Sequence, residues 1–505
     1  MKFLALLILL GAIPLIYCSS NNGKPPVFLV NGILGSKLYI EENGVQYPSG
    51  CPATAGYRRI WISKNLGSSE EVQRCEFNLL SPVYNPSTGE FNDLPGANLT
   101  SPFGDLNSLQ CLASDPWIGQ LVLCSVIGGT TDTWYYYWFI RKLQTVLHYP
   151  VDDIIGAAYD WRYPPDSKKH NAYYQNLKEA IEKAYERTKL KVIIVAHSMG
   201  NKMMSFFLSD RVTSPEWRKK YVNFTYNAAP AFGGSVSTME ELATGHDIVF
   251  MKFITIINGT LVRNFGRSLP AMASLLPSPN VYDVKKPLVT VGDKAYTIEN
   301  MDEFLSLINC SHLAPIRSGS EESQPDVKMV VVLGTGQKTP ASFTYKSSVA
   351  EDPKREDVDG DGRIQRKVME DLCGKWKAKG ADIEVLTLKY EHSKLIESAE
   401  FLRIFRDHAI GKLPEDELDP LLRNYQVKRG REICFSAEPL PICPEAAAEV
   451  VLKETKSVPF VCFSKEDELV VKLENETKAG RFFDLNPEKA AFIAGIDIPA
   501  RCKKN

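Results

Sequence analysis

Ser198 lies in Ala196-His197-Ser198-Met199-Gly200, directly after the β-branched run Val192-Ile193-Ile194-Val195 and before Asn201 to Leu208, whose apolar residues recur at helical spacing. A serine on a sharp strand-to-helix turn, flanked by small residues because the two backbones nearly touch there, is a nucleophile elbow. Ala196 replaces the usual first glycine of that turn, and Gly200 keeps the second. A serine hydroxyl is a poor nucleophile until a base takes its proton, so an acid and then a histidine should follow in the chain. Asp361, in Asp359-Gly360-Asp361-Gly362, is the candidate acid. His392, just past the strand-like Ile383 to Leu388, is the candidate base. Of the seven histidines only His392 and His408 follow that acid, and His408 falls late in a helical run where a structural or surface role fits better. The oxyanion of acyl transfer needs two backbone N–H donors, one from the residue after the nucleophile and one from a loop after an early strand. These are assigned to Met199 and to Ile33 in Asn31-Gly32-Ile33-Leu34-Gly35.

A different chemistry competes for the acid loop. Asp357-Val358-Asp359-Gly360-Asp361-Gly362-Arg363-Ile364 fits the first eight positions of a calcium-binding EF-hand loop, but Val368 stands where the bidentate glutamate belongs and Pro353 disturbs the leading helix. The metal reading therefore ranks below the catalytic acid, and no metal or other cofactor is expected.

These side chains must be held by something rigid. Val27-Phe28-Leu29-Val30 and Asp153 to Tyr159 read as buried strands, joined by candidates at Val222 to Tyr226, Val327 to Leu333 and Ile383 to Leu388. Between them Tyr173, Leu177, Ala180, Ile181 and Ala184 form the apolar face of an amphipathic helix. Strands alternating with helices predict a mostly parallel α/β sheet. Past Gly411 the pattern changes: Leu413-Pro414-Glu415-Asp416-Glu417 reads as a linker into short strand-like runs carrying Cys434, Cys443, Cys462 and Cys502. Four cysteines allow three pairings, and the sequence does not choose among them.

The 505 residues are 44% hydrophobic and 24% charged with a formal net charge of −2, a globular composition that gives nucleic acid no electrostatic reason to bind. Lys2, the apolar run Phe3 to Ile16 and the small residues near Cys18 predict a signal peptide over residues 1–18, too short to span a bilayer. Its removal leaves an even number of cysteines in an oxidising compartment, where disulfides are expected. Sequons at Asn98, Asn223, Asn258, Asn309 and Asn475 agree with a secreted protein or one of the lysosomal or endomembrane lumen.

In ordered pieces from about Val27 to Phe405 the chain resembles the lecithin:cholesterol acyltransferase family, which includes lysosomal phospholipase A type enzymes and phospholipid:diacylglycerol acyltransferases. Asn31 to Leu38 is similar to the family's oxyanion segment, Ala158-Tyr159-Asp160-Trp161-Arg162 to its Pro-Tyr-Asp-Trp-Arg, and Ala196 to Gly200 to the elbow of its lysosomal branch. Ala229-Pro230 with Gly233-Gly234-Ser235, and Asp359 to Gly362, resemble its Ala-Pro-Trp-Gly-Gly and its acid loop. The resemblance implies Ser198, Asp361 and His392 as triad and Ile33 and Met199 as oxyanion donors, the residues reached above from spacing. It also implies an α/β-hydrolase fold over residues 24–412, with lid and membrane-facing excursions at about 39–115 and 235–325, and leaves 413–505 as a small C-terminal disulfide-bearing extension. The first excursion would be closed by Cys51 with Cys75 and present Trp61 to a lipid surface, although Gly67-Ser68-Ser69-Glu70-Glu71 is polar where such a loop would be apolar. The second, through Phe250 to Phe265, is similar to the family's mobile lid, whereas Trp134 to Phe139 reads as an aromatic core helix.

The chain departs from the family at Arg363-Ile364 after the acid, at Phe232, and at Val331, which replaces the cysteine that would pair with Cys373 and leaves Cys310 as the alternative partner. The implied activity is removal of an acyl chain from a glycerophospholipid at a membrane or lipid particle surface, with transfer to water or a lipid alcohol. A non-catalytic lipid-binding protein of the same fold and a calcium-binding module through Asp357 to Asp361 are the other classes considered.

Overall fold

In the computed structural model of the chain, the described residues are 23–52, 56–112, 135–245, 259–317, 324–414, 417–444, 447–478, 485 and 487–504. The signal-peptide reading of residues 1–18 lies outside them, as do Trp134, Phe250 and the sequon at Asn258; the other four sequon asparagines are exposed.

Six strands form one sheet: β1 Val27–Val30, β2 Ile154–Gly156, β3 Val192–His197, β4 Val222–Ala228, β5 Met329–Gly334 and β6 Ile383–Leu388. Their spatial order is β6-β5-β4-β3-β1-β2, and every neighbouring pair runs parallel. The continuous apolar runs arise because helices cover both faces; all residues of β1, β3 and β5 are buried. The amphipathic helix expected after β2 spans Asn171–Thr188 and turns Tyr173, Tyr174, Leu177, Ile181 and Ala184 inward. This is the α/β-hydrolase arrangement the sequence predicts. From β1 the chain goes to β2 on one side and then crosses to β3 on the other, which opens a crevice at the C-terminal ends of β1 and β3 where such sheets bind ligands.

Asp361 is reached by an unforeseen route. It does not sit on the loop leaving β5. The chain first makes an antiparallel hairpin, Gln337–Tyr345 with Lys354–Gly360, and Asp361 follows its second strand, bridging back to Gln337. Thus Asp357 to Gly360 is strand rather than a metal-binding loop, which corrects the calcium alternative.

Residues 38–112 build a three-stranded antiparallel sheet, a short hairpin and the helix Glu70–Leu80. The Cys51–Cys75 disulfide expected there is present. Trp61 corrects its expectation: it is fully buried, with Trp161 and Phe265 against its ring, so it presents nothing to a membrane. From Glu417 onward a separate five-stranded sheet is dominated by the long pair Ala447–Ser464 and Phe492–Lys504. Disulfides Cys434–Cys462 and Cys443–Cys502 select one of the three open pairings. Cys310 and Cys373 are both buried and free, so the alternative pairing between them is not made. Cys111 is disulfide-bonded as well. No helix among the described residues is long and apolar enough to cross a membrane.

Candidate active site

β3 delivers Ser198 at its C-terminal end, and the turn into the helix Gly200–Phe207 forces the serine to φ 54°, a left-handed conformation that non-glycine residues rarely adopt. The turn persists because its surroundings over-determine it. The Ser198 N–H donates to the Ala228 carbonyl at 3.0 Å. Asn201 Nδ2 lies 3.1 to 3.2 Å from the carbonyls of Ala196, Ser198 and Ala228, and Asn227 Nδ2 donates to Asn201 Oδ1. A Cβ on Gly200 would stand 2.4 Å from the Asn31 carbonyl oxygen, closer than any side chain can come. The glycine is thus required by the approach of the elbow to the loop after β1.

The three sequence-derived candidates converge. His392 Nε2 lies 2.9 Å from Ser198 Oγ and His392 Nδ1 lies 2.7 Å from Asp361 Oδ2. Their relative exposures are 9% for Ser198, 6% for His392 and 2% for Asp361, so water competes little for these bonds. The other carboxylate oxygen, Asp361 Oδ1, accepts the N–H groups of Arg363 at 2.9 Å and Ile364 at 2.7 Å. The His392 N–H donates to the Asp361 carbonyl at 2.9 Å, and Gly362 N–H donates to the buried Thr339 hydroxyl. The acid loop and the histidine loop are therefore tied together through backbone as well as side chains. An imidazole held by a carboxylate on one nitrogen and a serine hydroxyl on the other can take the serine proton and return it to a leaving group.

Asp359 is committed elsewhere. Its carboxylate accepts from Thr335 Oγ1 and Gly336 N–H at 2.6 Å each and from Arg366 Nε, which together bring its pKa down to about 2. Asp357 pairs with Arg355. One group of metal-ligating side chains occurs among the described residues, Glu432 with Cys434 and Cys462, and its sulfurs are consumed in a disulfide. His408 pairs with Glu384 on the helix Ala399–Ala409 and is not brought to the site.

Met199 and Ile33 follow the serine and the loop glycine. Neither amide N–H has a hydrogen-bond acceptor among the described residues. The loop that carries Ile33 is braced on several sides. Tyr159 Oη donates to the Asn31 carbonyl, Trp161 Nε1 to that of Ser36 and Trp61 Nε1 to that of Leu34, each at 2.9 Å. The Tyr159-Asp160-Trp161-Arg162 motif thus supports the loop that carries Ile33, while fully buried Arg162 is fixed between Asp160 and Asp93. Trp61 also acts here as a brace.

Sequence reasoning missed two side chains beside the triad. Tyr135, read only as part of an aromatic core helix, accepts the Gly32 N–H at 2.7 Å and hydrogen-bonds His197 Nδ1. His197, noted only as an elbow residue, hydrogen-bonds the His392 carbonyl through Nε2 at 3.0 Å. Burial, and then the neighbouring His392, lower the His197 pKa to about 3, so its ring is neutral. The signal that could have found them is a tyrosine hydroxyl and an imidazole in runs otherwise destined for the core, where each must find a partner.

The two excursions meet above this loop. Phe265, on the helix Gly259–Ser268, stacks on Trp61 and lies tilted against Phe77. Ser235 Oγ donates to the Arg363 carbonyl and Glu241 forms an ion pair with Arg363, tying the start of the second excursion to the acid loop.

The family model described as Lecithin:cholesterol acyltransferase matches residues 57–315, a span that holds Ser198 and stops short of Asp361 and His392. Lysosomal phospholipase A and acyltransferase of Homo sapiens is 28% identical over 420 residues, covering 81% of this chain and 95% of that protein. Lecithin-cholesterol acyltransferase-like 1 of Arabidopsis thaliana is 28% identical over 365 residues, covering 67% and 80%. Among solved structures, a chain of the Tle4–Tli4 complex superposes with a TM-score of 0.42 at 11% identity, covering 77% of this chain and 99% of that one.

Proposed function

This chain belongs to the lecithin:cholesterol acyltransferase family and is an enzyme of the acyltransferase and phospholipase kind, and from that premise we propose that Ser198 takes an acyl chain from a glycerophospholipid and passes it to water or a lipid alcohol. His392 Nε2 removes the Ser198 proton as Oγ attacks the ester carbonyl. Asp361 holds the imidazole by Nδ1–H and stabilises the imidazolium that forms. The carbonyl oxygen, now negative, takes the N–H groups of Met199 and Ile33. Collapse breaks the ester bond, and the imidazolium gives its proton to the departing lysophospholipid oxygen. An acyl-serine remains. An incoming water or alcohol then loses its proton to His392, attacks the acyl carbon, and releases Ser198 with a hydroxyl proton restored.

The observation that carries this reading is the buried line from Asp361 through His392 to Ser198, with both hydrogen bonds under 3 Å. Residues 24–412 would form the catalytic unit, with 413–505 appended. Paired cysteines, exposed sequons and the leader pattern support action in the lumen of the endomembrane system or outside the cell, at a phospholipid surface. The test is Ser198→Ala on phosphatidylcholine vesicles, with and without a long-chain alcohol. Acyl release and acyl transfer should both fall by about 10³-fold or more. Retention of either at wild-type rate overturns the proposal.

A further inference from the structure

We propose that Tyr135 and His197 are positioning residues for acyl transfer, forming one buried hydrogen-bond chain that ties the oxyanion loop to the backbone of the catalytic histidine. The inference rests on the reading of Ser198 as nucleophile and His392 as base.

The direction of each bond in the chain follows from its ends. The Gly32 N–H can only donate, so Tyr135 Oη accepts it. With the His197 ring neutral, the tyrosine O–H donates to His197 Nδ1. The His392 carbonyl can only accept, so His197 Nε2 carries the imidazole proton. A neutral tyrosine with a neutral Nε2–H imidazole satisfies each of these bonds. Burial favours that state at both groups, raising the Tyr135 pKa and lowering that of His197.

The contacts are close enough to set geometry. A Cβ on Gly32 would lie 2.8 Å from Ser198 Cβ and 3.0 Å from Tyr135 Oη, and one on Gly35 would lie 2.7 Å from the Tyr135 ring. The tyrosine therefore fits against both glycines of the loop whose intervening Ile33 N–H is the second oxyanion donor. At the other end the His197 ring lies tilted against that of His392, with centroids 4.9 Å apart. Two halves of the site, brought by β1 and by the segment after β6, meet through one residue of the elbow on β3. Since a displacement of about 1 Å can cost some 10²-fold in rate, loss of this tie should act on turnover more than on substrate capture.

The test uses the full chain and a fluorophosphonate that labels active serines. Tyr135→Phe keeps the ring and removes both hydrogen bonds of the hydroxyl. His197→Gln keeps a donor near the Nε2 position and loses the match at Nδ1. Rates are normalised to serines labelled at completion, so unfolded molecules drop out. Expected for Tyr135→Phe is a fall in kcat per labelled site of about 10- to 100-fold with KM within about twofold, and for His197→Gln a smaller fall. The double variant should be little worse than the poorer single one, because both break one chain. Labelled fraction falling while kcat per labelled site stays within about twofold of wild type would assign a structural role only and overturn the proposal. Failure of the underlying reading would look different: wild-type protein would then not be labelled at Ser198 at all.

Discussion

The six-stranded sheet and the extension beyond Glu417 hold themselves together by opposite means. The parallel sheet is buried on both faces in one continuous core, the cysteines packed into that core, Cys310 and Cys373, are free thiols, and its order lets β1, β3 and the segment after β6 bring chemistry to one end. The extension has two small apolar clusters, one around Phe435 and Val470 and the other around Phe460 and Ile498, and an edge strand Gln426–Arg429 that is exposed throughout. It is stapled by two disulfides, the usual resort of a region too small to bury enough apolar surface. The contrast teaches that burial lets the first region afford a strained serine and a buried carboxylate, whereas the second spends its special chemistry on staying folded.

Four measurements break or sharpen that contrast. The largest effect belongs to the sheet: Asp361→Asn should lower kcat by about 10⁴-fold through the wrong imidazole tautomer, with the thermal midpoint moved far less than the rate. Near-normal turnover in steady-state acyl release would show that the carboxylate is a structural group only. Next is the extension, where Cys434→Ala with Cys462→Ala should remove roughly 2–4 kcal/mol of local stability and leave kcat within about twofold. Limited proteolysis after residue 417 alongside vesicle assays would test it, and loss of turnover before cleavage would contradict the division of labour.

The junction between the regions comes third. Glu438 accepts from Arg141 at 2.8 Å and Lys456 at 2.6 Å. Burial disfavours its charge, but those two cations outweigh burial and hold its carboxyl below the usual range. A depressed folded-state pKa means its contribution to docking is complete above the ordinary glutamate range and lost as pH falls through the lower folded value. Docking should therefore loosen in acid, and Glu438→Gln should flatten that acid limb in proteolysis rates; an unchanged limb would point to other groups. The burial of Leu422 against the main core would remain as an anchor. The smallest effect is for calcium. Millimolar calcium should move the melting midpoint by less than about 1 °C, because Asp359 already satisfies Thr335, Gly336 and Arg366. A clear upward shift, lost in Asp359→Asn, would restore a metal role for the loop.

Much of the candidate site was legible because the proposed serine chemistry imposes an order on the chain. Strand, elbow and helix are local, so Ser198 could be read from neighbours alone, and the order of acid and base picked Asp361 and His392 from a few candidates. Trp61 was misread for the converse reason: an indole within a disulfide-closed excursion has the composition of a membrane anchor, and only packing against Trp161 and Phe265 turns it inward. The detour through the hairpin before Asp361 was invisible because polar residues of Lys354 to Gly360 lack the apolar alternation of a half-buried strand.

Sequence by itself determined the alternation of apolar strands with amphipathic helices, the glycine that lets the elbow touch the loop after β1, and the residue types able to move a proton. Tertiary structure decided which cysteines met, which aromatic side chains brace the loop after β1, and that Tyr135 and His197 stand between Gly32 and His392. Local preference is set by neighbours within a few residues. A hydrogen bond spanning 195 residues, that from His197 to His392, depends on where the folded backbone brings its partners.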